Sequence, residues 1–300
     1  MDQIGFSSQL VQYIFTGLTV GSIYATVAVG FNIIYNATDI INFAQGEFVM
    51  LGGLVMVALV NFAHLPLPLA FLITIAVVAL TGLLIERLAI SPLKGADVLT
   101  LIIITIALSI LIKGIAMFLW GKDPYSLRSF SGNTPIPFLG ASILPQTLWI
   151  IGLTIAMVIL LSLFFEKTIT GKAMSACSDN PAAASLVGIN VRFMVMLSFM
   201  LSAGLGAVAG IIVTPIGLME YDRGAMLGLK GFGACILGGL GSFHGAVVAG
   251  FALGIMESLA AGLIHSGYKD AIALVILLLV LFIKPSGIFG SAEVRKIKKF

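Results

Sequence analysis

The sequence predicts an all-α, polytopic membrane protein of about 8 transmembrane helices, and three observations predict it. Apolar residues make up 59% of the chain and charged residues only 10%, whereas a soluble domain carries about 25% charged residues. Mean hydropathy is +1.14, and the apolar residues gather in runs near the length that crosses a hydrocarbon core as a helix. Glycine is abundant, at 34 residues, which suits helices whose backbones must approach closely in lipid.

The runs are taken in order. Spanning helices are expected at about 9–35, 44–61, 67–88, 98–119, 147–165 and 193–215, followed by a Gly-rich region at 228–262 and a last run at 270–284. Asp2, with no basic region ahead of the first run, points to a first helix that is retained, not cleaved as a signal peptide. The region 228–262 is about twice one span. It is broken by Gly238-Gly239-Leu240-Gly241-Ser242-Phe243-His244-Gly245, which reads as a turn between two short helices. Irregular backbone at membrane depth is tolerated only inside protein or beside water, so this break is expected to face the bundle interior. His244 reads more readily as a satisfied buried histidine than as a lining residue. The patterns Gly17-xxx-Gly21, Gly206-xxx-Gly210, Gly241-xxx-Gly245 and Gly250-xxx-Gly254 fit close helix packing.

Orientation follows from Lys and Arg. With the N-terminus outside and 228–262 crossing down and back, the inner side holds Arg87, Lys94, Lys167, Lys172, Arg192, Lys284, Arg295, Lys296, Lys298 and Lys299. The outer side holds only Lys122, Arg128, Arg223, Lys230 and Lys269. This bias favours the N-terminus outside and the C-terminus inside. The basic tail then reads as an anchor to anionic lipid. The segment 120–146, with Pro124, Pro135, Pro137 and Pro145, is expected as an ordered or semi-ordered outer loop.

Several function classes are set aside. A net charge of +3 is too small to point to nucleic acid. Cys177 and Cys235 read as small packing residues, with no disulfide framework. No Cys/His/Asp cluster has metal-ligand spacing, no Ser-His-Asp arrangement stands out, and no phosphate-binding loop is present. Neither a cofactor nor a catalytic role is expected.

Chemistry concentrates in two intramembrane places and one loop. Ile40-Ile41-Asn42-Phe43-Ala44-Gln45-Gly46-Glu47-Phe48 sets three polar residues between long apolar runs. An acid at the start of such a helix is costly and marks a place where something polar binds or passes. The alternative puts Glu47 at the membrane–water boundary, favoured by the positive end of its helix. Glu257 lies inside the apolar run Ala246–Ala261, either lining a path or hydrogen-bonded to a neighbouring helix. The candidates for a translocation path are thus Asn42, Gln45, Glu47 and Glu257.

The loop at about 166–192 carries Asp179-Asn180-Pro181-Ala182-Ala183-Ala184-Ser185-Leu186-Val187-Gly188. Asn180 suits an N-cap, Pro181 a first helical position and Gly188 a C-terminal stop. A two-turn helix is therefore expected, presented to the cytoplasm for docking or as plain surface.

Gly21-Ser22-Ile23-Tyr24-Ala25, Ile41–Phe48 and Gly238-Gly239-Leu240-Gly241-Ser242 resemble the permeases of branched-chain amino acid ABC importers, of the LivH type. The likeness spans nearly the whole chain, which is then one transmembrane permease domain over 1–300. It implies coupling to ATPases through Asp179, Asn180, Pro181, Ala182, Ala183 and Gly188. The leading Glu of the general coupling loop is absent here, where Pro181 precedes Ala182-Ala183. The resemblance also implies two cytoplasmic ATP-binding subunits, a second permease subunit (related or identical), an external substrate-binding protein and an amino-acid substrate. The setting it implies is the bacterial inner membrane. Urea or a short amide is the nearest alternative cargo, and an ion-coupled carrier using Glu47 and Glu257 is the alternative of another class.

Overall fold

The computed structural model describes residues 5–93, 96–284 and 286–289; Asp2, Lys94 and the tail residues Arg295, Lys296, Lys298 and Lys299 lie outside the described residues. Helix α1 (Phe6–Thr38) is followed by α2 (Gln45–Val57), which runs on through a π-helical turn at Ala58–Phe62. Next come α3 (Leu67–Ile85), extended by short turns to Leu93, and α4 (Val98–Trp120). A hairpin of β1 (Ile136–Phe138) and β2 (Ala141–Ile143) leads into α5 (Pro145–Lys167), α6 (Ile169–Asp179) and α7 (Pro181–Leu186). The chain then forms α8 (Val191–Gly217), α9 (Arg223–Gly238), α10 (Phe243–Leu263) and α11 (Lys269–Ile283).

Among the described residues, 8 helices are long and apolar enough to cross a membrane: α1, α2, α3, α4, α5, α8, α10 and α11, counting the short turns that extend three of them. Helix α9 has 16 residues, about 24 Å at 1.5 Å per residue, and falls short of a full span.

Helices α1, α2, α8, α9 and α10 pack together at the centre. Helices α3, α4, α5 and α11 lie around them and expose Leu72, Ile103, Ile110, Leu160 and Phe282. An outer surface of this kind belongs in lipid, where exposed apolar side chains carry no hydration cost.

The glycine patterns explain how the centre closes. The α1 pattern meets the α10 pattern: a Cβ on Gly21 would stand 2.8 Å from Phe251 Cα, and one on Gly17 only 2.6 Å from Ile255 Cα. In the same way Gly206 of α8 packs on Phe48 of α2, where a Cβ would meet the Phe48 Cβ at 2.7 Å. Side chains at these positions would hold the helices apart.

The break in the Gly-rich region is a turn at residues 239–242. Gly239 and Gly241 take φ of 99° and 89°, a region open to glycine at little steric cost. The Ser242 Oγ then caps α10 by accepting from Gly245 N at 3.1 Å. Asn32, fully buried in α1, serves this turn. Its Nδ2 donates to Ser242 O at 3.0 Å, and its Oδ1 accepts from Gly241 N at 2.9 Å and from Cys235 Sγ at 3.1 Å. The irregular backbone is thus satisfied by protein.

Three expectations need correction. Helix α9 starts at Arg223, five residues ahead of the Gly-rich region expected at 228–262, and is held by glycine contacts between Gly228 and Gly46. Lys230, counted above among the outer residues, is only 7% exposed inside the bundle. His244 is exposed on the first turn of α10, not buried. Within 120–146, Leu139 and Gly140 both take positive φ and close a tight hairpin turn. The hairpin rests on α1 through an edge-to-face pair of Phe138 and Phe15 at 5.6 Å.

Candidate functional site

Helix α2 begins beside the middle of α4 and not at its end. Ser109, half-way along α4, donates to Glu47 Oε1 at 2.8 Å. Glu47 is fully buried, so its side chain does not face water. It lies in the first turn of α2, where the helix dipole favours a negative charge. Its second oxygen, Oε2, has no hydrogen-bond partner among the described residues. Gly224 of α9 faces that oxygen, and a Cβ there would stand 2.9 Å away.

Asn42 and Gln45 share this region but do different work. The Asn42 Oδ1 accepts from Ala44 N at 3.1 Å and so shapes the turn into α2, while its Nδ2 is buried and has no hydrogen-bond partner among the described residues. Gln45 is a three-helix tie. Its Oε1 accepts from Ser202 Oγ of α8 at 2.6 Å and its Nε2 donates to Ser202 O at 3.2 Å. Its amide also fills the space left by the missing side chain of Gly30 in α1. Two buried polar atoms thus remain unmet within six residues of sequence, and unmet groups of this kind call for a water, an ion or another bound group.

Glu257 stands apart, in a cluster drawn from four helices. Lys230 Nζ of α9 donates to Glu257 Oε1 at 2.7 Å, and Tyr24 of α1 donates its hydroxyl to Oε2 at 2.9 Å. Lys230 also lies 2.5 Å from Asp270 Oδ1 of α11 and 5.4 Å from the centre of the Tyr24 ring. Both carboxylate oxygens of Glu257 are therefore engaged. A buried charge of this sort is tolerable only when paired and hydrogen-bonded. Sequence reading singles out Glu257 but misses Tyr24, Lys230 and Asp270; the available signal was a lysine inside a Gly-rich apolar helix, which belongs with an acid.

The third place is α7. The Asn180 Oδ1 accepts from Ala183 N at 2.9 Å, Pro181 is the first helical residue, and Gly188 ends the turn at φ 88°. Ala184 is buried as an anchor, whereas Leu186 and Val187 are 88% and 77% exposed. At the other end of the loop, Asn190 caps α8 by accepting from Phe193 N at 3.1 Å. Helix α6 lies against α5 at Gly171, where any side chain would collide with the backbone of Phe164 and Phe165.

A family model described as "Branched-chain amino acid transport system / permease component" matches residues 13–281. The chain belongs to this permease family. It is 33% identical to the high-affinity branched-chain amino acid transport system permease protein LivH of Escherichia coli K12, an alignment covering 96% of this chain and 97% of that protein. It is also 33% identical to the corresponding BraD of Pseudomonas aeruginosa, over 96% and 98% of the two chains. A probable LivH of Methanocaldococcus jannaschii is 30% identical over 91% and 90%. The chain is therefore matched along nearly its whole length by branched-chain amino acid permeases, and the eight apolar helices among its described residues agree with a multi-pass membrane protein.

Proposed function

We propose that the permease is the membrane subunit of an ATP-driven importer of branched-chain amino acids in the bacterial inner membrane. Two cytoplasmic ATP-binding subunits, a second permease chain (related or identical) and an external substrate-binding protein complete the assembly. The N-terminus lies outside and the C-terminus inside, which makes α9, ending at the turn tied to Asn32 of α1, a short ninth crossing beside the 8 long helices. The observation that carries the coupling part of this reading is α7, a capped two-turn helix with an exposed Leu186–Val187 edge between α6 and α8.

The mechanism follows from that placement. A subunit that grips α7 moves α6 and the start of α8 with it, because Asn180 and Asn190 fix both junctions. The close contact of α6 with α5 at Gly171 carries the motion onward. Helix α8 is tied to α1 and α2 through Ser202 and Gln45, so the motion reaches the segment that holds Asn42 and Glu47. Those residues, with Glu257, are proposed to line or border the path. ATP binding then shifts the population between outward-open and inward-open forms by favouring one of them. Charge neutralisation of Glu257 by Lys230 disfavours an ion-coupled carrier, since the acid is already matched.

The test is uptake into ATP-loaded vesicles containing the whole assembly, leucine against urea. Leucine uptake requiring both ATP and the binding protein supports the reading; ATP-independent uptake overturns it. Within that assay, Gly188→Val is expected to abolish most uptake while the protein still inserts. A Cβ at Gly188 meets no neighbour; the damage comes from the left-handed backbone, which costs a β-branched residue roughly 1–2 kcal/mol. Leu186→Asp tests the exposed edge without backbone strain and is expected to lower uptake and ATPase co-purification together.

A further inference from the structure

The Lys230 cluster borders a partly open cavity of about 210 Å³ between α1, α8, α9, α10 and α11. That is many times the ~10–15 Å³ that a single water needs. Its lining combines the aliphatic Val20, Ile23, Val213, Ile216 and Leu227 with the ionisable Arg223, Lys230, Lys269, Glu257 and Asp270. A purely structural ion-pair network has no need of such a space, and a purely apolar void would not be lined by five ionisable groups.

The charges are unevenly committed. Lys230 is held between Glu257 and Asp270. Arg223 and Lys269 have no acid within ion-pair distance among the described residues. Three cations thus face two acids, and the two spare cations are the first residues of α9 and α11. The amide ends of those two helices add positive potential on the same side, as short helices do around anionic substrate groups in transporters. The Asp270 side chain is 44% exposed, so it is open to a second cation.

We infer that this cavity is a binding site within the permease for one free aliphatic α-amino acid in its zwitterionic form. Arg223 and Lys269 take the carboxylate, Asp270 takes the ammonium group, and the aliphatic lining residues take the side chain. Lys230 and Tyr24 are positioning residues that hold the two acids in place. The inference rests on the importer reading for its cargo and goes beyond it by locating a site that is separate from Asn42, Gln45 and Glu47. A small neutral amide such as urea would leave both spare cations unmatched and would not cover the aliphatic lining residues.

The experiment measures direct binding to the purified permease assembly in nanodiscs, without the external binding protein, by competition against radiolabelled leucine. The competitors are leucine, leucinol (no carboxylate) and 4-methylpentanoate (no ammonium). In the natural assembly each truncated probe is expected to bind at least tenfold more weakly than leucine. In R223Q/K269Q, whose two sites are exposed, leucine is expected to fall to the affinity of leucinol, while leucinol itself is unchanged; the thermal unfolding midpoint reports that the variant is folded. Leucine binding unaltered in the folded R223Q/K269Q assembly overturns the site, as does equal binding of leucine and leucinol by the natural one. ATP-driven leucine uptake with no direct leucine binding overturns the site and leaves the importer standing. Direct binding with the expected probe order, but without ATP-driven uptake, keeps the site and overturns the importer reading.

Discussion

Glu47 and Glu257 are both acids inside apolar helices, and both are almost fully buried, at 0% and 5% exposed. Their partners differ. Glu257 has a lysine on one oxygen and a tyrosine hydroxyl on the other. Among the described residues, Glu47 has a single serine hydroxyl on one oxygen and no hydrogen-bond partner on the other. The cost of burying charge is offset at Glu257 by a full shell of partners; at Glu47 it is offset only in part. A fully met acid holds helices together and fixes the edge of a cavity, whereas a half-met acid is free to meet something that arrives. The unmet Nδ2 of Asn42 lies in the same segment and strengthens the contrast.

The largest expected effect comes from removing the cation that two acids share. Lys230→Met leaves the buried Glu257 without its ion-pair partner, and a loss of about 3–5 kcal/mol is expected, as for other buried pairs broken on one side. Thermal unfolding in detergent measures it, and adding Glu257→Gln to the same chain should recover part of the loss. A Lys230→Met variant as stable as the natural protein would show that the cluster is not a paired network.

A smaller effect is expected at Glu257 alone. Glu257→Gln keeps an acceptor for Tyr24 but loses the charge-assisted bond to Lys230, worth about 1.5–3 kcal/mol. Lys230 retains Asp270, which limits the damage. The smallest change in stability is expected at Glu47, since Glu47→Gln keeps an acceptor for Ser109 and gives up only the extra strength of a charged acceptor, on the order of 1 kcal/mol. Uptake in that variant should fall further than its thermal stability does. Matching losses of assembly and uptake would make Glu47 a structural acid and erase the distinction from Glu257.

Much of the fold was legible because it depends on local signals. Run length and hydropathy mark the spans, and glycines followed by a serine mark the turn at 239–242. Asn180, Pro181 and Gly188 mark α7 through capping chemistry that acts within a few residues. The site was legible only in part. Asn42, Gln45 and Glu47 announce themselves as polar residues in an apolar setting, yet nothing local distinguishes Gln45, which ties α1, α2 and α8, from Glu47, which keeps an oxygen unmet. Lys230 was misplaced because a basic residue near a presumed loop reads as outer surface when its partners are unseen.

From the sequence alone came the membrane class, the approximate spans and the capped α7, since hydropathy, helix length and capping are properties of short stretches. The partners of each buried charge were decided by tertiary structure alone. Tyr24 and Glu257 are 233 residues apart and Lys230 and Glu257 are 27 apart, separations with no period to read. They meet because glycine pairs such as Gly21 with Gly250 and Gly46 with Gly228 let α1, α10, α2 and α9 approach to backbone contact. Electrostatic energy depends on distances of a few ångströms and on what excludes water, and those are set only when the helices have packed.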